Sequence, residues 1–238
     1  MTYQDNGYNP RVGYDQQFRQ AGAAAAPRWD TLVAGWHLDE TTGTRVDVLG
    51  NYDMSVVTPV GYDTGKFGNA ANYSGSGELH KATSNLGCAS DGVVRAMCCW
   101  FYAAGPQSDV GCIASTNHAT PGGWYLYHES SNYIGVVVNT GQQSYNYRQI
   151  STPGWFHLAW FWDAGANLPR LYVDGVGPGT GGSPNPLTAN FTTWIRMGND
   201  LLNNQLTGKV DELYLFSAGD ADWVADMYNG GTGQVYPL

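Results

Sequence analysis

The sequence predicts one all-β domain, and three observations carry that prediction. Of its 238 residues, 32 are Gly and 11 are Pro. Aromatic and charged residues each make up 13%, and that charged share is about half the ~25% usual for a globular domain. From Thr31 onward, short apolar or alternating runs are separated by Gly-Asn, Ser-Gly, Pro-Gly and Asp-Gly pairs, which favour tight turns. Runs at this spacing imply a sandwich or a barrel, and all-β units of ~200–250 residues are commonly single domains. The composition also excludes other classes. The chain has too many aromatic and β-branched residues for disorder. The net charge is −9 and the only lysines are Lys66, Lys81 and Lys209, so no basic face exists for nucleic acid. No apolar run approaches the ~18 residues of a helical span, so membrane insertion is not expected. With only four Glu, a helical bundle is disfavoured.

The elements follow in chain order. Residues 1–28 are a polar arm carrying Tyr3, Tyr8, Arg11, Tyr14, Phe18 and Arg19. It lacks the basic start and the apolar stretch of ~7–15 residues that mark a signal peptide. Its Ala23–Ala26 run is too short to hold a helix. The arm's charge is +1, which leaves −10 on the remainder. Such a segment is expected to be extended and to dock on other protein subunits of an assembly; a free tail is the alternative. The domain proper is 29–238. Strands are predicted over Thr31–Asp39, Tyr52–Val57, Ala70–Tyr73, Leu79–Lys81, Val93–Tyr102, Gly111–Ser115 and Gly123–Glu129. Further strands follow over Tyr133–Asn139, Tyr145–Ile150, Phe156–Asp163, Leu168–Val173, Thr193–Gly198 and Gly208–Phe216. In Phe156–Asp163 and the residue before it, large side chains occupy both alternating sets. That strand is expected to be buried on both faces or to meet another subunit. His157 within it reads as a core histidine satisfied by a hydrogen bond. Asp174-Gly175 predicts a tight turn, and the Gly- and Pro-rich stretch Asp174–Phe191 a long loop. One helix is expected over Asp220–Tyr228. Asp220 would cap it, Asn229-Gly-Gly231 would end it, and Val224, Met227 and Tyr228 would form its apolar face.

Four cysteines occur, Cys88, Cys98, Cys99 and Cys112. Cys98 and Cys99 are neighbours on a strand and point to opposite faces. No Cys/His spacing suits zinc. Buried free thiols are expected, with a Cys88–Cys112 bridge as the other option.

Several ordered motifs then resemble a known family. They are Leu32-Val-Ala-Gly-Trp-His-Leu-Asp-Glu40 with Thr41-Thr-Gly43, Asp47-Val-Leu-Gly-Asn51, and Gly65-Lys-Phe-Gly-Asn69 continuing to Gly75. The strand containing Trp100, Gly154-Trp-Phe-His-Leu-Ala159, Leu171-Tyr-Val-Asp-Gly175 and Gly208–Phe216 complete the series. Residues 29–238 resemble the concanavalin A-like, laminin G-type family in this order; Ala103–Ile150 is the weakest stretch. The resemblance implies a two-sheet antiparallel jelly-roll sandwich, here with an extended N-terminal arm and one short C-terminal helix.

The resemblance carries functional expectations. Many members of this fold hold calcium with carboxylates and loop carbonyls. The acidic pairs Asp39-Glu40 and Asp211-Glu212 offer Asp39 and Asp211 as ligands. Strict alternation would put Asp211 on the side of Leu213 and Leu215, where a cation or backbone N–H donors must offset its burial. Members also bind sugars, whose apolar ring faces stack on aromatic side chains. Trp124, Tyr125, Tyr127, Asn132, Tyr145 and Tyr147 are the candidates; a core or interface role for them is the alternative. Members that cleave polysaccharides need a Glu-x-Asp-x-Glu carboxylate set or a Gln-x-His group, and neither motif occurs. No nucleophile elbow or phosphate loop appears, so no catalytic residue is assigned. The leading expectation is a non-enzymatic structural or adhesive subunit of an assembly, such as a decoration, fibre or head appendage on a phage virion surface, able to grip host glycans. A secreted or stand-alone extracellular lectin is the alternative, and a polysaccharide-cleaving enzyme the second.

Overall fold

The structure is a computed structural model and describes residues 29–82, 86–88, 92–116, 122–139, 143–188, 194–200 and 202–237, with backbone alone for 139 and 143–145. The predicted arm, with Tyr3, Tyr8, Arg11, Tyr14, Phe18 and Arg19, lies outside the described residues.

Among the described residues, fourteen strands form two antiparallel sheets. They are β1 (Leu32–Trp36), β2 (Ser55–Thr58), β3 (Gly61–Thr64), β4 (Asn69–Ser74), β5 (Glu78–Ala82), β6 (Ala96–Ala103) and β7 (Val110–Thr116). Then come β8 (Trp124–Glu129), β9 (Tyr133–Asn139), β10 (Gln143–Gln149), β11 (Gly154–Asp163), β12 (Leu168–Val173), β13 (Trp194–Met197) and β14 (Thr207–Phe216). The first sheet runs β12-β11-β6-β14-β4-β3, with β1 also on β14. The second runs β10-β9-β8-β7-β13-β5-β2. Strand β3 was not anticipated: its residues are all exposed, so no apolar alternation marks it.

The sheets face each other across a core that includes Trp36, Phe101, Trp124, Leu158, Trp160, Val210 and Leu215. A second apolar layer lies on the outer side of the first sheet. There α1 (Ala221–Tyr228) covers Cys98, Ala159, Tyr214 and Phe216. Thus β11 is buried on both faces within this one chain, as its dense side chains require. The helix begins at Asp220, whose carboxylate accepts from Trp223 N–H at 2.8 Å, and ends at left-handed Asn229. Its buried residues are Trp223, Val224 and Met227. Trp223 was absent from the expected face, whereas Tyr228 is only half-buried and packs beside Trp100 and His157.

All four cysteines are free and buried. Burial pushes the Cys88 thiol up to about 12, so these groups are apolar filling rather than nucleophiles. His157 is also buried, but it departs from expectation: its Nδ1 has no hydrogen-bond partner among the described residues. Burial lowers its pKa to about 3, so the ring is neutral and serves as an aromatic spacer. Asp174 and Gly175 both have positive φ (51° and 69°), and Val173 and Val176 exchange backbone hydrogen bonds around them, making the predicted tight turn.

Candidate functional site

Two places bring the predicted polar and aromatic residues together. The first is the acidic corner of the first sheet. Between Asp211 and Tyr214 the β14–β6 register slips, and Glu212 sits at φ 50°. This bulge inserts one residue. Asp211 therefore faces the outer side opposite Trp100, while Leu213 and Leu215 face the core. The expectation that Asp211 shares a side with those leucines is corrected: alternation fails across a bulge.

Asp211 Oδ2 accepts from Lys66 N–H (2.8 Å) and Phe67 N–H (2.9 Å). Asp39 Oδ1 accepts from Asn69 N–H at 2.6 Å. The two predicted calcium ligands thus converge on one turn, Gly65–Asn69, where a Cβ on Gly65 or Gly68 would strike them at 2.6 and 2.3 Å. Backbone donors take the role a cation would have, and no group of three His, Cys, Asp or Glu suited to a metal occurs among the described residues. Burial, opposed by the Phe67 N–H, raises the Asp211 carboxyl from 3.8 to about 8. Beside it, Glu212 Oε2 accepts from Tyr214 O–H and meets His37 Nδ1 at 2.8 Å, which raises the His37 pKa. These bonds hold a residue in the left-handed region that only a supporting network stabilises.

The second place is the outer face of β8, β9 and β10. Cross-strand register sets it: Tyr125 opposes Val137, and Tyr127 opposes Gly135, which in turn opposes Tyr147. Tyr133 joins the same side two residues before Gly135. Tyr125 and Tyr127 stack at 5.0 Å, and Tyr133 meets Tyr147 edge to face at 5.6 Å. The Tyr127 ring lies over Gly135, where an added Cβ would sit 2.2 Å from it. Glycine here makes room for that ring, which fills the space between the two tyrosine pairs. Tyr125 is buried; Tyr127 and Tyr147 are half-buried. Two pockets open along this row. One, about 260 Å³, lies among Tyr125, Tyr127, Glu129, Val137, Leu202 and Asn204. The other, about 320 Å³, lies among Tyr133, Tyr147, Arg148, Gln149, Gly179 and Thr180.

The sequence candidates divide accordingly. Tyr125, Tyr127 and Tyr147 belong to this row. Trp124 does not: it opposes Val138 on the inner face, is fully buried, packs on Trp160 and donates its Nε1–H to Leu86 O at 2.8 Å. Asn132 is a turn residue at φ 59°, its N–H donating to Glu129 O. Tyr145 opposes Val137 in register, and its side chain lies outside the described residues. Tyr133, Val137, Arg148 and Leu202 were missed. The pairing of β9 with β10 would have found Tyr133 and Val137, whereas it sets Arg148 opposite buried Ile134, on the other side of β10; Leu202 reaches the face from a loop, which no periodicity reveals.

The profile of the Concanavalin A-like lectin/glucanases superfamily (laminin G type) matches residues 79–219. The chain belongs to that superfamily. The match spans both sheets, from β5 to the end of β14, so the observed sandwich is the superfamily fold. Among solved structures, domain 4 of an extracellular arabinanase from Geobacillus stearothermophilus, in complex with arabinotriose, is similar at 18% identity and TM-score 0.65. That likeness covers 86% of this chain and 98% of the arabinanase domain. Trypanosoma rangeli sialidase is similar at 14% identity and TM-score 0.66, over 94% of this chain but only 38% of the sialidase. The botulinum neurotoxin DC binding domain, in complex with rat synaptotagmin II, is similar at 14% identity and TM-score 0.63, over 84% of this chain and 52% of that one. No curated protein matches. At these identities the structures share the fold, and this superfamily member's chemistry must be read from its own residues.

Proposed function

We propose that the domain is a non-catalytic glycan-binding module and that the β8–β10 face is its binding surface. The observation that supports this most is the register row Tyr127, Gly135, Tyr147. The Tyr127 ring leans over Gly135 on the middle strand, so the phenols of β8 and β10 approach each other across β9. Sugar rings present apolar C–H faces that stack on such phenols, while the rim side chains Asn204, Gln149 and Thr180 offer hydrogen bonds to hydroxyls. Two adjoining pockets suit an oligosaccharide rather than a single sugar. Among the described residues no helix lies over this face, because α1 is packed on the other sheet. The arabinanase domain, seen with arabinotriose, lends the reading a precedent in fold.

The test is a glycan array followed by titration calorimetry. Wild type is expected to bind an oligosaccharide, and Tyr127→Ala or Tyr147→Ala to weaken it at least tenfold without loss of fold. An array with no binding overturns the proposal. Anchoring in a larger assembly, including a virion surface, is a further part of the proposal and rests on the sequence of residues 1–28.

A further inference from the structure

One of the two pockets of this face is walled by aliphatic side chains, and strand register puts its strand residues on one side of the sheet. Tyr125, Tyr127 and Glu129 alternate along β8. Val110 on β7 opposes Glu129, and Val137 on β9 opposes Tyr125. The stacked phenols are therefore flanked by a valine on each neighbouring strand. The third aliphatic member, Leu202, comes from the loop after β13. Buried Asp200 fixes that loop: its Oδ1 accepts from Leu202 N–H (2.8 Å) and Asn204 N–H (3.0 Å), and its Oδ2 from Asn204 Nδ2 (2.8 Å). The Asn204 carbonyl accepts from Cys112 N–H at 3.0 Å and ties the loop to β7. The Leu202 backbone is thus held in place, while its side chain stands 64% exposed in the pocket wall. The lining holds one carboxylate, Glu129, and no cation.

We infer that this pocket, of about 260 Å³, is a subsite for an uncharged sugar residue carrying an acetamido group. The subsite presupposes the glycan-binding reading of this face. The sugar ring would lie on the phenols, and the acetamido methyl against the aliphatic wall that Leu202 completes. Flat phenols suffice for the C–H face of a sugar ring. Branched aliphatic walls beside them add a place for a methyl group, which gains by leaving water. Val110 lies directly opposite Glu129, so an apolar contact and a hydrogen-bond acceptor stand side by side. One acetamido group meets both, because the methyl and the N–H point to the same side of a trans amide. The Glu129 carboxylate already accepts from Ser131 O–H at 3.1 Å and has further lone pairs for that N–H. Its charge also repels a carboxylate-bearing sugar. The pocket is smaller than the ~300–1,000 Å³ that encloses a drug-sized ligand, so it takes one residue of a chain whose remainder lies along Tyr127 and Tyr147.

The experiment uses the full chain on an array of paired oligosaccharides that share linkage and differ only in an acetamido or a hydroxyl group, alongside acidic and 6-deoxy glycans, with calorimetry on each binder. The acetamido form is expected to bind about tenfold or more tighter than its hydroxyl counterpart. Leu202→Ser is expected to bring the two forms within about twofold of each other. It should keep the melting temperature, since the side chain it removes is exposed. A best binder without an acetamido group, a preference that survives Leu202→Ser, or an equal loss for both forms overturns the subsite while leaving the glycan-binding face in place. If no glycan of any kind binds, the face itself is refuted and the subsite with it.

Discussion

The outer faces of the two sheets both carry aromatic rings and use them differently. On the first sheet, α1 and the C-terminal segment cover Tyr214, Phe216 and Trp29; the Tyr236 N–H donates to the Tyr214 hydroxyl at 3.0 Å, and Trp29 meets Tyr214, Phe216 and Tyr236. On the second sheet, Tyr127, Tyr133 and Tyr147 remain at the surface beside open pockets. The strongly perturbed carboxylate and the strained Glu212 lie on the first face. A perturbed pKa is often taken as a sign of an active site. Here Asp211 and Asp39 hold a turn, so the perturbation reports folding, whereas the open face has the geometry of recognition. A buried acid and an accessible ring are different kinds of evidence.

Substitutions can break this contrast. The largest effect is expected from Trp223→Ala, which empties the layer beneath α1 and should cost ~3–5 kcal/mol, read as a large fall in denaturant midpoint. If Tyr127→Ala costs as much, the tyrosine face is structural and the contrast is lost. A smaller effect is expected at Asp211. Its raised native pKa means the native state keeps a proton that the unfolded chain loses above about pH 4. Stability from this group is fully present below 3.8 and declines as pH rises toward about 8. Asp211→Asn, which still accepts from the Gly65–Asn69 turn, should flatten that decline; equal slopes for variant and wild type would show that the acid is not buried as described. His37, whose pKa is raised by Glu212, loses its contribution in the same direction, so the variant-minus-wild-type difference isolates Asp211. Gly135→Ala should displace the Tyr127 ring and weaken glycan binding several-fold with little change in melting temperature; unaltered binding would detach Gly135 from the platform. Smallest of all, a chelator should leave the melting temperature unchanged, because the predicted calcium ligands are already bonded to the turn. A fall restored by calcium would reinstate that ion.

Most strands were legible because apolar residues mark a buried face, which β3 lacks, and the helix because Asp220 and Asn229 cap it. The Asp174-Gly175 turn was legible for the same kind of reason, since only certain residues accept its backbone angles. The site was less so. Trp124 and Tyr125 are neighbours of equal aromatic character, and only strand register sends one to the core and the other to the surface. At Asp211 the period of two was followed through a bulge that Glu212, not glycine, supplies, so no residue type announced it. Leu202 reaches the face from a loop, where neither periodicity nor motif operates.

Thr180 exchanges both backbone hydrogen bonds with Tyr147, at 2.9 Å each, and so closes part of the edge of β10. An open strand edge recruits other strands, including those of identical molecules. The residue that walls the pocket beside Tyr147 is therefore also a guard against self-association. Mutations that widen the pocket at Thr180 to admit a larger sugar would bare that edge, so changes in ligand range and in solubility should travel together at this loop.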